Sequence, residues 1–206
     1  MDKYVYKGKN EEELLNHACE ELKVEKTDIF YRVTEEKGGL FSGKKLSLEV
    51  VKVSDVADLA KKLINSVLEG INIKAKIETK IREGRITYLI HSDNNGRIIG
   101  KNGRILDSIQ IYIRQAVFKK IGLPTNIVID VENYKEKQNY FLEKKVKKIA
   151  REVTLSKVNV KLDPMNAYER RIVHNALAKF DYIESISEGE EPNRCVVIKY
   201  KEKEWI

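Results

Sequence analysis

The sequence predicts an α+β protein made of three small mixed domains in series, at residues 1–53, 54–132 and 133–206. Three observations carry this expectation. The length of 206 residues leaves room for two or three small domains, at a typical size of about 150 residues or less, but not for a large barrel. Short runs of strand-like alternation are interleaved with apolar stripes at helical spacing along the whole chain. Charge is also uneven: residues 1–53 carry 10 basic and 11 acidic side chains, residues 54–132 carry 13 and 9, and residues 133–206 carry 16 and 12. The net values are −1, +4 and +4, so the overall excess of +7 sits in the last three quarters and would draw a polyanion there.

Composition narrows the class further. With 42% hydrophobic and 34% charged residues the chain has enough apolar side chains to bury cores, which argues against wholesale disorder. No apolar run approaches the roughly 18 residues of a membrane span, and the opening residues Met1 to Lys7 lead into Glu11-Glu12-Glu13 without an apolar leader. A cytoplasmic protein without a transmembrane segment is expected. Cys19 and Cys195 are far apart, and only His17, His91 and His174 accompany them, so neither a disulfide framework, a metal site nor a cofactor is signalled.

The opening domain reads as strand, helix, strand, strand: Lys3 to Lys7, a helix from Asn10 to Leu22, then Ile29 to Val33 and Leu46 to Val53. Asn10 is a natural cap, and Glu11 to Glu13 meet the positive end of the helix dipole. Gly38, Gly39 and Gly43 between the last two strands form either a plain hairpin loop or a binding loop presenting Phe41 and lysines. The second domain opens with a helix starting at Ser54 and Asp55 and ending at Gly70, with Val56, Leu59, Ala60, Leu63, Ile64, Val67 and Leu68 at helical spacing. Alternation from Ile71 to Ile77 and the run Ile86 to Ile90 predict a hairpin around Arg82-Glu83-Gly84-Arg85. A short helix from Asn94, a glycine break, a helix through Leu106 to Val117 and a strand at Ile127 to Val131 complete the order helix, strand, strand, helix, helix, strand.

The third domain begins with a long basic helix from Tyr134 to Thr154, a candidate stiff connection between modules. Leu142, Val146, Ile149 and Val153 form its apolar stripe, and Lys144, Lys145, Lys147, Lys148 and Arg151 crowd the rest. A strand at Val158 to Leu162, a helix capped by Asp163 with Pro164 in its first turn and running to Lys179, and strands at Ile183 to Ser187 and Cys195 to Tyr200 follow.

The most specific stretch is Gly96 to Leu106. Three residues between Gly96 and Gly100, and Asn102 after Lys101, exclude a nucleotide-binding Walker loop. The run Gly100-Lys101-Asn102-Gly103 instead fits a turn between two helices that brings backbone and a positive helix start to a phosphate chain, with Arg97, Lys101 and Arg104 adding charge. Ile-Ile-Gly-Lys-Asn-Gly-Arg followed by an amphipathic helix resembles a KH domain of the bacterial type II arrangement, across Ser54 to Glu132. The resemblance implies that Gly100, Lys101, Asn102, Gly103 and Arg104 clamp single-stranded nucleic acid.

Arg170 and His174 are one helical turn apart. Taken with Arg171 and with Arg194 after the turn Glu188-Gly189-Glu190-Glu191-Pro192-Asn193, they resemble the Arg-x-x-x-His nucleic-acid-binding domain. That resemblance implies a cationic patch of Arg170, His174 and Arg194, although His174 by itself also reads as a buried structural histidine. The order of the three domains resembles the Jag family, also called SpoIIIJ-associated proteins. It implies a non-catalytic bacterial protein that binds single-stranded RNA, is linked to cell elongation, envelope growth and so cell shape, and can pair with a small stand-alone KH protein. Single-stranded DNA binding, or a scaffold acting through the opening domain, are the alternatives. The acidic cluster Glu188, Glu190 and Glu191 lies in a turn where solvated charge is the ordinary state, so no enzyme is expected.

Overall fold

A computed structural model describes residues 2–36 and 45–202. The chain divides into two compact units, residues 1–133 and 134–206. The loop of Gly38 to Gly43 lies outside the described residues.

In the first unit, strands β1 (Tyr4–Gly8), β2 (Ile29–Glu36) and β3 (Lys45–Lys52) form an antiparallel sheet in the order β1-β3-β2. Helix α1 (Glu11–Leu22) closes one face of it. Its start is capped as expected, with the Asn10 side chain accepting from the Glu12 amide at 2.9 Å. Leu14, Leu15, Ala18 and Leu22 then meet Ile29, Leu48 and Val50 in one small core. Central strand β3 is buried on both faces near its end, since Val51 on the opposite face is fully covered too. On that sheet Glu49 accepts from Lys3 at 2.8 Å and from its cross-strand partner Arg32 at 2.6 Å. Both bonds, Lys3 first, hold the Glu49 carboxyl below its ordinary value.

No linker separates this sheet from the next helix, because α2 (Val53–Gly70) begins on the residue after β3. Ser54 is therefore not the cap; Lys52 holds that position without a side-chain bond. Gly70 is the last helical residue, as expected, but the chain is turned out of the helix by Asn72. Asn72 takes a left-handed φ of 55°, and the amides of Asn72 and Ile73 return to the Glu69 and Leu68 carbonyls. Ile71 to Ile73 are thus spent on closing the helix end, and strand β4 runs only over Lys76–Arg82. It pairs antiparallel with β5 (Arg85–His91) through a two-residue turn in which Glu83 and Gly84 both have positive φ, as a tight hairpin of this hand requires. Short helix α3 (Asn95–Ile99), helix α4 (Arg104–Ile121) and strand β6 (Asn126–Val131) follow, with β6 parallel to β5. Buried residues from α2, β5, α4 and β6, among them Ile64, Tyr88, Ile113 and Ile129, fill the interior, and the Tyr88 hydroxyl donates to the Ala57 carbonyl at 2.7 Å.

In the second unit, helix α5 (Tyr134–Ser156) is a packed member and not a free connection. Glu132 and Asn133 before it both have positive φ, which separates it from β6. Val146, Ala150 and Val153 join Val173, Leu177, Val196 and Ile198 in the core. Near its start Gln138 and Asn139 bond to Glu169 and Tyr168. Strands β7 (Val160–Lys161), β8 (Ile183–Glu188) and β9 (Cys195–Tyr200) form an antiparallel sheet in the order β7-β9-β8. Helix α6 (Ala167–Leu177) starts three residues after Pro164, because Asn166 and Glu169 form a reciprocal capping box with both bonds at 3.0 Å; Asp163 and Pro164 belong to the approach.

Candidate nucleic-acid interface

The turn between α3 and α4 is set by its glycines. Gly100 sits at φ 71° and ψ −178°, a conformation essentially reserved for glycine, and a Cβ there would lie 2.5 Å from Ile105 Cγ1. The left-handed path continues at Asn102 (φ 55°) and Gly103 (φ 77°), and Gly103 is buried while its amide donates to the Gly100 carbonyl at 3.3 Å. Gly96, by contrast, has open space around it. From sequence, both glycines of the turn are expected against a phosphate; in the structure Gly100 is already required by the protein itself, through its positive φ and its close approach to the half-exposed Ile105 side chain.

This rigid frame leaves charge outside. Lys101, Asn102 and Arg104 are exposed, and among the described residues their side chains make no hydrogen bond or ion pair. They surround the start of the 18-residue helix α4, whose dipole adds positive potential at the same place. Arg97 is exposed as well, but one of its terminal nitrogens donates to the Ile71 carbonyl at 3.2 Å and ties α3 to the end of α2.

The second expected patch is arranged differently. Arg170 is 8% exposed. Its Nη1 donates to the Met165 carbonyl and to Glu191, both at 2.8 Å, while the Met165 amide donates to the Arg194 carbonyl at 3.1 Å. Arg170 therefore departs from the expected outward cation: burial of its alkyl stem and two short bonds commit the guanidinium to holding the approach to α6 against the β8–β9 turn. His174 is half-buried, with Nδ1 2.7 Å from the Ser185 hydroxyl and Nε2 2.9 Å from that of Ser187. Arg171 and Arg194 are the exposed cations of the group. Glu191 and the two serines are partners that sequence reasoning missed; the alternation of Ser185 and Ser187 on β8, one face of a strand, was the available signal.

The family model of the Arg-x-x-x-His domain, named for its arginine and histidine with three residues between them, matches residues 141–200, the segment holding α6 and the sheet β7-β9-β8. Over its whole length the chain is similar to the RNA-binding protein KhpB of Clostridium symbiosum, 32% identical across 98% of this chain and 93% of that protein. The chain belongs to the Jag (KhpB) family. Within that family it is also similar to the RNA-binding protein KhpB of Bacillus subtilis, 29% identical over 94% of this chain and 96% of that protein. For the KhpB of Streptococcus pneumoniae the identity is 28%, over 74% of this chain and 48% of that protein. Within the matched segment of this Jag-family chain, the arginine and histidine with three residues between them are the buried Arg170 and the doubly partnered His174. No helix among the described residues is long and apolar enough to cross a membrane.

Proposed function

We propose that this chain is a non-catalytic, cytoplasmic RNA-binding protein that holds the backbone of single-stranded RNA at the Gly100–Gly103 turn, with residues 54–132 acting as a KH module and residues 133–206 as the Arg-x-x-x-His module. The observation that carries the reading is the contrast within the turn: a backbone fixed by Gly100 against Ile105, and three outward side chains, Lys101, Asn102 and Arg104, without a partner among the described residues. Unpaired cations on a rigid turn are pre-organised for phosphates and gain affinity by counterion release. Relatives named RNA-binding proteins support RNA as the polyanion, and the family resemblance supports a part in cell elongation and envelope growth.

Replacing Lys101 and Asn102 together by Asp tests this directly. Asp tolerates the left-handed backbone at position 102, so the fold is retained while affinity for single-stranded RNA falls at least tenfold, about 1.4 kcal/mol. Unchanged affinity in the folded variant removes the turn from the binding site. DNA of equal sequence, run beside the RNA, decides between RNA and single-stranded DNA.

For the proposed stand-alone KH partner, helix α4 offers a surface: Ile111, Tyr112 and Phe118 are each more than half exposed. Size-exclusion of an equimolar mixture of the two proteins reads out that association.

A further inference from the structure

Helix α5 holds seven basic and three acidic residues between Tyr134 and Ser156, so it carries the whole net charge of +4 of residues 133–206. That charge is sorted around the helix. Val146, Ala150 and Val153 turn inward, and at 100° per residue Tyr140, Lys144, Lys147 and Arg151 fall on the outward side in a single row. The row is about 16 Å long at 1.5 Å per residue. At its head Tyr140 and Phe141 are 62% and 65% exposed, their rings edge-on at 5.8 Å. These side chains share one shallow hollow of about 730 Å³ with Lys145, Lys148 and a single acid, Glu143.

The acids nearby neutralise only part of this face. Lys147 meets Glu143 at 3.2 Å, Lys148 meets Glu152 at 3.8 Å and Lys145 meets Asp163 at 3.7 Å. All three are solvent-exposed pairs of small energy, readily exchanged for a phosphate. Lys144 and Arg151 have no ion pair among the described residues. Exposed aromatic rings beside a file of cations are what single-stranded nucleic acid uses, bases on the rings and phosphates along the charges. A lipid surface fits less well, because the apolar stripe that would enter a membrane is already buried in the core of the unit.

We propose that the outward face of α5 is a further RNA-contacting surface, in which Tyr140 and Phe141 stack on bases and Lys144, Lys147 and Arg151 follow the backbone. This surface lies outside the Gly100–Gly103 turn and the Arg170–His174 pair, and it rests on the RNA-binding reading above.

The test uses the full chain and a fluorescein-labelled, mixed-sequence single-stranded RNA of about 20 nucleotides, longer than one small module covers, with anisotropy read across salt concentrations. Tyr140→Ala with Phe141→Ala is expected to weaken binding at least tenfold while leaving the salt dependence in place. Lys144→Gln, Lys147→Gln and Arg151→Gln together are expected to reduce the slope of log affinity against log salt by about 2, since each phosphate contact on a single strand contributes about 0.7. Wild-type affinity and slope in both folded variants, while Lys101→Asp with Asn102→Asp still loses RNA, overturn the α5 surface and leave the RNA reading intact. Failure of the unaltered protein to bind the RNA overturns both. Loss of co-sedimentation with phosphatidylglycerol vesicles in the triple variant, at unchanged RNA affinity, overturns the proposal in favour of a lipid surface.

Discussion

In the turn between α3 and α4 glycine shapes the backbone and the cations are left outside; in the first turns of α6 a cation is drawn inside to hold the backbone. Gly100 packs on Ile105 so that Lys101, Asn102 and Arg104 face water. Arg170 does the opposite, giving its guanidinium to Met165 and Glu191, and His174 gives both ring nitrogens to serines of β8. The two motifs look alike in sequence, each a cluster of basic residues beside a helix start. They teach that a basic residue is available to a polyanion only where something else supplies the local structure. In the first motif glycine supplies it, and in the second the arginine does.

The largest effect separating the two is expected from Gly100→Ala. A methyl group there combines a backbone conformation reserved for glycine with a 2.5 Å approach to Ile105 Cγ1 that forces the half-exposed Ile105 side chain to shift, and strain of this kind costs up to about 3 kcal/mol. Gly96→Ala, four residues earlier in open space, should leave stability within about 0.5 kcal/mol. Urea unfolding of the two variants side by side reads the difference, and equal midpoints would show that the turn does not depend on glycine at position 100.

Arg170→Ala comes next. Losing two bonds from a buried guanidinium should lower the stability of the second unit by about 2 kcal/mol, whereas Glu191→Ala should cost less because that carboxylate is largely exposed. An unchanged melting temperature together with lost RNA affinity would return Arg170 to the role of an outward ligand and erase the contrast between the motifs.

The smallest effect belongs to Glu49, where cations are quenched by an acid on a sheet. Its carboxyl is held below the ordinary glutamate value of 4.5 by Lys3 and then Arg32, so the stabilisation is present above that value and is lost as pH falls through the lowered one. Glu49→Gln should therefore cost about 0.5–1 kcal/mol at pH 7 and progressively less on acidification below pH 4.5. Urea midpoints for both proteins across pH 3 to 7 check it; a difference that stays constant or grows toward low pH would mean that the ion pairs do not set the stability there.

Local sequence was sufficient wherever a short-range interaction dominates. Asn10 before three glutamates specified the start of α1, the two-residue Glu83-Gly84 turn specified the β4–β5 hairpin, and the apolar stripe of α5 specified which side of that helix is buried. The same logic made the Gly100–Gly103 turn legible, because a left-handed path between two helices has few residue solutions. Local signals failed where two of them competed. Asp163-Pro164 resembled a helix start, but the reciprocal Asn166–Glu169 box places α6 three residues later. The alternation from Ile71 resembled a strand, but hydrogen bonds back to α2 use those residues to close the helix end.

What the tertiary structure alone decided is which charged side chains are free. Helical spacing places Arg170 and His174 on one face of α6, and nothing in that spacing says whether the face meets water. The answer depends on Glu191, Ser185 and Ser187, which lie 11 to 21 residues further along the chain and are brought back only by the antiparallel return of β8 and β9. Free and committed cations are chemically identical in sequence. They differ by desolvation and by partners that arrive through long-range folding, and those are properties of the packed chain.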